Sequence, residues 1–289
     1  MLRTVRAVRY VTPLREGGSL PALVEADDDG LYVVKMRGAG QGPKALVAEI
    51  VAGELARELG LPVPELVLVE LDEHLPDAEP DAEIQDLLAA SAGTNVGLDF
   101  LPGALPYAPG GSFEVEPRLA AAVVWLDALV ENVDRTPRNV NLLVWHRRLW
   151  LIDHGAALYR HHAGLDPKAA RGPFPAVRDH VLLEAASSIG DADAELASRV
   201  TRELVEDVLA RVPREWLEPA APAGYVEYLG TRLEEPRTWV EEAEVARVRR
   251  EEAEPARARP EEAEAARAGP QDADPTRARQ EADHVRARR

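Results

Sequence analysis

The stretch Glu131-Asn-Val-Asp-Arg-Thr-Pro-Arg-Asn-Val-Asn-Leu-Leu-Val-Trp-His-Arg-Arg-Leu-Trp-Leu-Ile-Asp-His-Gly155 sets two carboxylates and a carboxamide, Asp134, Asn139 and Asp153, around an apolar hairpin pattern. Asp134 falls in a polar loop after the apolar run Ala120 to Val130, where a carboxylate is free to take a proton from a hydroxyl. Asn139 follows it in the same loop and offers an oxygen to a hard cation. The strand Asn141 to Trp145 turns at His146-Arg-Arg148 and returns as Leu149 to Ile152, which delivers Asp153 to the end of a buried strand, with Gly155 close behind to let the chain bend. A hairpin brings its two ends together, so Asn139 and Asp153 are expected to share one metal site. This is the set that phosphoryl transfer from Mg-ATP requires, and it reads as a kinase site.

Upstream, the pattern predicts a small sheet with one main helix. Arg6 to Thr12 alternates like a strand, Pro13 to Ser19 is a glycine turn, Leu20 to Glu25 resumes an extended pattern, and Asp27 to Gly30 turns a hairpin into the strand Leu31 to Met36. Ala45 to Leu59 has apolar residues at helical spacing with Gly60 as its stop, and Val63 to Leu71 reads as a further strand. Asp72 to Asp86 reads as a surface loop leading into a short helix at Ile84 to Ala90.

Lys35 stands inside the apolar strand, in a chain where arginine supplies nearly all the positive charge. An ammonium there needs anionic partners, and Glu49, early on the next helix, and the phosphates of ATP are the candidates. The bland alternative is a sheet-edge lysine that reaches water. Two glycine-rich segments compete to cradle the phosphates. Gly17, Gly18 and Ser19 lie between two predicted strands ahead of the lysine, where a flap would set backbone N–H groups over the nucleotide. Gly38 to Lys44 comes after the lysine and lacks the Ser or Thr that a Walker loop needs after Lys44. The first is favoured. Gly97 to Gly103 reads as a short crossover in which backbone groups meet an adenine edge and Phe100 and Leu101 line the pocket, with an ordinary core strand as the equal alternative.

Composition bounds the rest. At 289 residues, 46% of them hydrophobic, the chain has material for a sizeable core. No uninterrupted apolar run is long enough to span a membrane, the start alternates charge with apolar residues, and there is no cysteine, so a cytoplasmic globular protein without disulfides or thiolate metal sites is expected. A net charge of -17 argues against direct binding to nucleic acid. From about Glu241 the chain becomes loose Glu/Ala/Arg/Pro repeats that cannot bury enough surface to offset their ordering entropy, so residues 241–289 are expected to form a disordered tail. His146, His154, His161 and His162 form no i, i+4 pair, and surface or supporting roles are expected for them rather than a zinc site. Arg178 to Leu209 reads as two amphipathic helices around Ser187 to Asp191, followed by an aromatic-bearing segment from Pro213 to Leu233.

The strand Leu31 to Lys35, the helix and exit Ala48 to Pro64, the loop Asn132 to Asn139 and the run Leu151 to Gly155 together resemble the HipA-like kinases, which are similar in their catalytic loop to phosphatidylinositol 3- and 4-kinases. The resemblance implies an α+β, two-lobed protein-kinase-like fold: a small β-rich lobe at 1–98, a hinge at 99–104 and a helical lobe at 105–240, ahead of the tail. It further implies that Lys35 holds the α- and β-phosphates of ATP, that Glu49 pairs with Lys35, that Asp134 is the catalytic base, and that Asn139 and Asp153 bind Mg2+. Ser19 falls where such kinases carry a phosphorylatable serine. HipA toxins have an additional N-terminal subdomain, whereas this chain has a dozen residues before its first glycine turn, so an antitoxin partner is not expected. Thr136-Pro137 replaces the usual histidine-bearing stretch, and His154 stands where protein kinases keep a phenylalanine. Neither change removes a metal ligand or the base. The expected acceptor is a protein serine or threonine hydroxyl, with a lipid or small-molecule alcohol second; a nucleotide-binding pseudokinase that uses its tail for partner contacts is the alternative from another class, and the intact Lys35, Asp134, Asn139 and Asp153 speak against it.

Overall fold

The computed structural model describes residues 1–14, 20–40, 42–75 and 80–267, with side chains as far as residue 252. Its first five strands are β1 (Arg3–Pro13), β2 (Ala22–Ala26), β3 (Leu31–Lys35), β4 (Leu66–Leu71) and β5 (Gly93–Asp99). They close into a barrel in the order β1-β2-β3-β5-β4. Four of the pairings are antiparallel, and the closing one, β1 with β4, is parallel. Alternation fills the interior with Val5, Val24, Tyr32, Val34, Val67 and Val69. Gly97 of β5 has to be small, since a Cβ there would stand 2.6 Å from Val69 Cγ2. The strand expected from Val63 begins only at Leu66, because Pro62 and Pro64 have no N–H to give a ladder. The predicted small sheet is thus a closed barrel, a feature that alternation alone does not encode.

Two helices belong to this part of the chain. α1 (Pro43–Glu58) starts on a proline at its first turn and stops at Gly60, whose φ of +84 favours glycine. Every residue from Leu46 to Ala56 is buried, because one face lies against β4 and β5 while the other joins the core of the helices that follow. α2 (Ala82–Ala90), capped by the Asp81 carboxylate, sends Ile84 and Leu88 into the barrel's core.

After Phe100 comes a three-stranded antiparallel sheet of β6 (Leu105–Pro106), β7 (Leu142–Trp145) and β8 (Arg148–Leu151). The helices are α3 (Pro117–Leu129), α4 (Pro167–Ala170), α5 (Ile189–Leu196), α6 (Arg202–Leu209), α7 (Ala221–Leu233) and α8 (Thr238–Arg267). Strands therefore dominate the first third of the chain and helices the rest. α5 and α6 are the two helices expected between 178 and 209, but residues 180–188 are irregular, with Leu182 and Leu183 fully buried. Among the described residues no helix is long and apolar enough to cross a membrane.

The folded unit, residues 1–247, reaches past the boundary expected at 240. Trp239, Ala243 and Ala246 recur at helical spacing and are buried, and the Trp239 ring lies 5.7 Å from that of Trp125. Glu244 Oε2 accepts the N–H of Ile189 at 2.6 Å, at the first residue of α5. Alanines hid this stripe, because small residues carry little weight in a composition dominated by glutamate and arginine. The second unit, residues 248–289, is helical as far as Arg267, and the remainder of the expected tail lies outside the described residues.

Candidate active site

With Tyr32 and Val34 committed to the barrel interior, alternation turns Lys35 to the outer face, toward α1. Lys35 Nζ donates to Glu49 Oε2 at 2.5 Å and to Asp153 Oδ1 at 2.6 Å. The lysine is 8% exposed and Glu49 is fully buried. Burial pushes the ammonium toward its neutral form, but the Glu49 and Asp153 charges outweigh it and raise the Lys35 pKa above its usual value. Burial likewise pushes the Glu49 carboxyl up, and the Lys35 charge, helped by His154, overcomes it and brings the value down to about 2. The backbone N–H of His154 adds a hydrogen bond to Glu49 Oε2 at 2.7 Å. One short cluster thereby ties β3, α1 and the chain after β8.

Asp153 takes the left-handed conformation, φ +55. The bend expected at Gly155 occurs at the aspartate itself, a residue type that tolerates this region better than most. The β7–β8 ladder ends at the pair Leu142 and Leu151, and Ile152 N–H still reaches Asn141 O at 3.2 Å. The chain then leads from Asn141 back into the loop after α3. There the Asn139 side-chain amide donates to Asp134 Oδ2 at 2.7 Å, and that of Asn141 donates to Asp134 O at 3.2 Å and to Oδ2 at 3.4 Å. A tight turn from Thr136 to Asn139 sets this geometry, with Asn139 N–H on Thr136 O at 3.1 Å. The half-buried Asp134 carboxyl lies above its usual pKa, raised by burial and by the nearby Asp153 charge against the opposing amides of Asn141 and Asn139. The structure thus joins Lys35, Glu49 and Asp153 in one cluster, and Asp134 with Asn139 in a neighbouring loop whose carboxyl feels the Asp153 charge.

Four residues to which the sequence reading gave no role hold this site from behind. Arg135 Nε donates to Asp127 Oδ2 at 2.5 Å, and Arg135 Nη1 donates to Asn141 O and, at 3.2 Å, to Ile152 O. The same guanidinium therefore grips both strands where the β7–β8 ladder ends. Asn132 Nδ2 donates to Asp127 Oδ1 at 3.0 Å. His180 Nδ1 accepts the N–H of Leu182, which leaves Nε2–H to donate to Asp127 Oδ2 at 3.0 Å. Burial raises the Asp127 carboxyl, but Arg135 and His180 outweigh it and hold it far below the usual carboxylate range. The available signal was an aspartate inside the apolar run Ala120 to Val130.

The remaining expectations fall as follows. Gly17, Gly18 and Ser19 lie outside the described residues. Phe100 N–H donates to Leu31 O at 2.9 Å as β5 ends, Leu101 is buried, and the chain then turns at Pro102 and Gly103. In the second glycine segment Gln41 lies outside the described residues, and Lys44 Nζ is engaged by His161 O at 2.7 Å. His154 is buried beside Glu49, and the Nε2 atoms of His161 and His162 stand 3.2 Å apart. Among the described residues no three His, Cys, Asp or Glu side chains gather as a metal centre. The oxygen donors that could face a cation are the carboxylates of Asp134 and Asp153 and the Asn139 carboxamide, whose Nδ2 is engaged and whose Oδ1 is not. Such a set suits a hard divalent cation, and the adjacent ammonium suits a phosphate.

A family profile described as HipA-like kinase matches residues 7–224. No curated relative matches the chain. Among solved structures, the Helicobacter pylori proinflammatory kinase CtkA is similar with a TM-score of 0.52 at 13% identity, over 83% of this chain and 96% of that one. Golgi casein kinase with Mn/ADP bound aligns with a TM-score of 0.41 at 16% identity, over 82% of this chain and 74% of that one. A second structure of Golgi casein kinase has the same TM-score of 0.41 at 15% identity, over 80% and 71%. At its identity, the likeness to CtkA is one of fold, and that fold is a kinase's.

Proposed function

This chain belongs to the HipA-like kinase family and is a phosphotransferase, and from that premise we propose that it moves the γ-phosphate of ATP to a protein serine or threonine hydroxyl with Mg2+ as the cation. The observation that carries the reading is the Lys35 ammonium held between Glu49 and Asp153, carboxylates from two separate elements. In this reading the barrel with α1 and α2 is the smaller lobe, residues 99–104 are the hinge, and residues 105–240 with the first turns of α8 are the larger lobe.

Bound Mg-ATP supplies the transferable phosphoryl group and the charge that neutralises it during transfer. Lys35 holds the α- and β-phosphates, and Glu49 keeps Lys35 aimed at them. Asp153 and the Asn139 Oδ1 hold the cation. Asp134 takes the proton of the acceptor hydroxyl, with Asn139 and Asn141 fixing the rotation of its carboxyl. Phe100 and Leu101 would line the pocket of the adenine. Exposed residues beside Asp134, namely Val133, Pro137 and Arg138, leave it open to a hydroxyl carried on another chain, which favours a protein acceptor.

The test is transfer of labelled γ-phosphate to protein substrates by the wild type, Lys35→Ala and Asp134→Asn. Transfer by the wild type alone supports the reading, and equal transfer by all three places the chemistry elsewhere.

A further inference from the structure

Behind Lys35, three buried polar atoms have no hydrogen-bond partner. Glu49 Oε2 is occupied by Lys35 Nζ and the His154 N–H, but Glu49 Oε1 is unbonded, and so are both ring nitrogens of His154. His154 Nδ1 stands 3.6 Å from Glu49 Oε1, with both side chains fully buried. That is too long for a hydrogen bond and short enough to become one through a small rotation of the ring. Unpaired polar atoms in the interior are destabilising, and a phenylalanine of similar shape would carry none. The imidazole thus leaves hydrogen-bonding capacity unmet in the unliganded fold, where it favours the Glu49 charge without a hydrogen bond to it.

That use follows from charge. In the structure Lys35 neutralises Glu49 and Asp153 together. When Lys35 turns to phosphates and Asp153 to a cation, Glu49 keeps its buried charge while its strongest donor is shared. Glu49 Oε1 then needs a donor, and the Nδ1 of His154 already faces it. We propose that His154 is a positioning residue, whose imidazole, in the tautomer with hydrogen on Nδ1, donates to Glu49 Oε1 in the nucleotide-bound enzyme and so keeps α1 fastened to the Asp153 segment while Lys35 serves the phosphates. The proposal rests on the reading of Lys35 and Asp153 given above.

The experiment compares wild type, His154→Phe and His154→Asn by melting temperature without nucleotide, by the added stabilisation from Mg-ATP, and by the KM for ATP. His154→Phe is expected to melt near the wild-type temperature and yet to raise the KM for ATP about tenfold, the worth of one hydrogen bond to a charged group. His154→Asn, which restores an N–H near the same place, is expected to recover most of that loss. In parallel, the imidazole nitrogen signals of the 15N-labelled wild type, assigned by their loss in His154→Asn, should show hydrogen bonding at Nδ1 only after Mg-ATP is added. A His154→Phe enzyme with wild-type KM and wild-type Mg-ATP stabilisation overturns the proposal. If His154→Phe does not fold, the nitrogen signals decide: Nδ1 unchanged by Mg-ATP overturns it. No Mg-ATP stabilisation of the wild type itself would instead overturn the nucleotide reading, and with it this one.

Discussion

Arg135 and Asp127 form an ion pair of 2.5 Å in which both side chains are sealed from solvent, and the same guanidinium holds the backbone carbonyls of Asn141 and Ile152. Asp134 precedes this arginine, and Asp153 follows Ile152. The position of one partner of the proposed reaction relative to the other is therefore fixed through a buried charge that touches neither substrate. Replacing only one member of such a pair strands the other, which costs about 3–5 kcal/mol. Arg135→Met should lower the urea midpoint accordingly. The double variant Arg135→Met, Asp127→Leu should recover a good part of the loss, and failure to recover it would mean that the carbonyl contacts, rather than the ion pair, dominate.

The nucleotide reading makes a ligand-dependent prediction. Saturating Mg-ATP should stabilise the wild type by about 2.7 kcal/mol at a hundred times the dissociation constant, and ATP with a chelator should do much less. Lys35→Ala strands Glu49 and should lower the baseline melting temperature, so the quantity to compare is the added stabilisation, which should vanish. In Lys44→Ala the contact to His161 O is lost but the Mg-ATP increment should remain. Equal increments with and without the cation would remove Asn139 and Asp153 from the metal assignment.

Catalysis and binding should separate at the two aspartates. Asp134→Asn keeps the shape of the loop and removes the base, so transfer should fall by on the order of 10²-fold or more while ATP affinity changes little. Asp153→Asn takes away a partner of Lys35 and a cation ligand together, and should weaken Mg-ATP binding as well as transfer. Single-turnover rates and calorimetric dissociation constants for both variants decide between this assignment and a site elsewhere.

Acid should act on the same cluster. The folded Glu49 carboxyl sits at about 2 against an ordinary 4.5, and that of Asp127 is also depressed. A carboxyl depressed in the folded state binds fewer protons there than in the unfolded chain, so its stabilisation is full above the unfolded value and is lost as pH falls toward the folded one. Stability should therefore decline from about pH 4.5 downward. Asp127→Asn should flatten that decline while lowering stability at pH 7. An unchanged acid slope in this variant would show that Asp127 is not depressed in the fold.

The parts of the site legible in the sequence are those set by short-range geometry. A lysine inside an apolar strand calls for an anion, and the next helix offered Glu49; a hairpin returns its ends to one place, so Asp153 had to come back to the loop of Asp134 and Asn139. His180 escaped because it meets Asp127 across 53 residues, whereas the pairing of Asp127 with Arg135, only eight residues on, escaped because an aspartate amid Ala120 to Val130 is hidden by the apolar average around it. Barrel closure was equally unreadable, since period-two alternation tells which face a residue takes but not that β1 pairs with β4. The direction of the Asp153 backbone was misplaced onto Gly155 because glycine is the default for a bend, whereas the structure assigns the left-handed residue to the aspartate.

Where the chain can be cut follows from α8. A disordered tail beginning at 241 would allow truncation at Thr238 without loss, but Trp239 is 1% exposed, packs on Trp125 and donates its ring N–H to Arg232 O at 2.8 Å. Removing a buried tryptophan costs about 3–5 kcal/mol, and the cut also removes Glu244 from the first turn of α5. A chain ending at Thr238 should therefore unfold at a clearly lower denaturant concentration than the full-length protein. One ending at Glu252 keeps all of these contacts and should retain both the cooperative transition and the Mg-ATP increment. Equal midpoints for the two truncations would mean that Trp239 contributes nothing to the core, and a loss of the Mg-ATP increment in the longer one would give residues 253–289 a part in the nucleotide site.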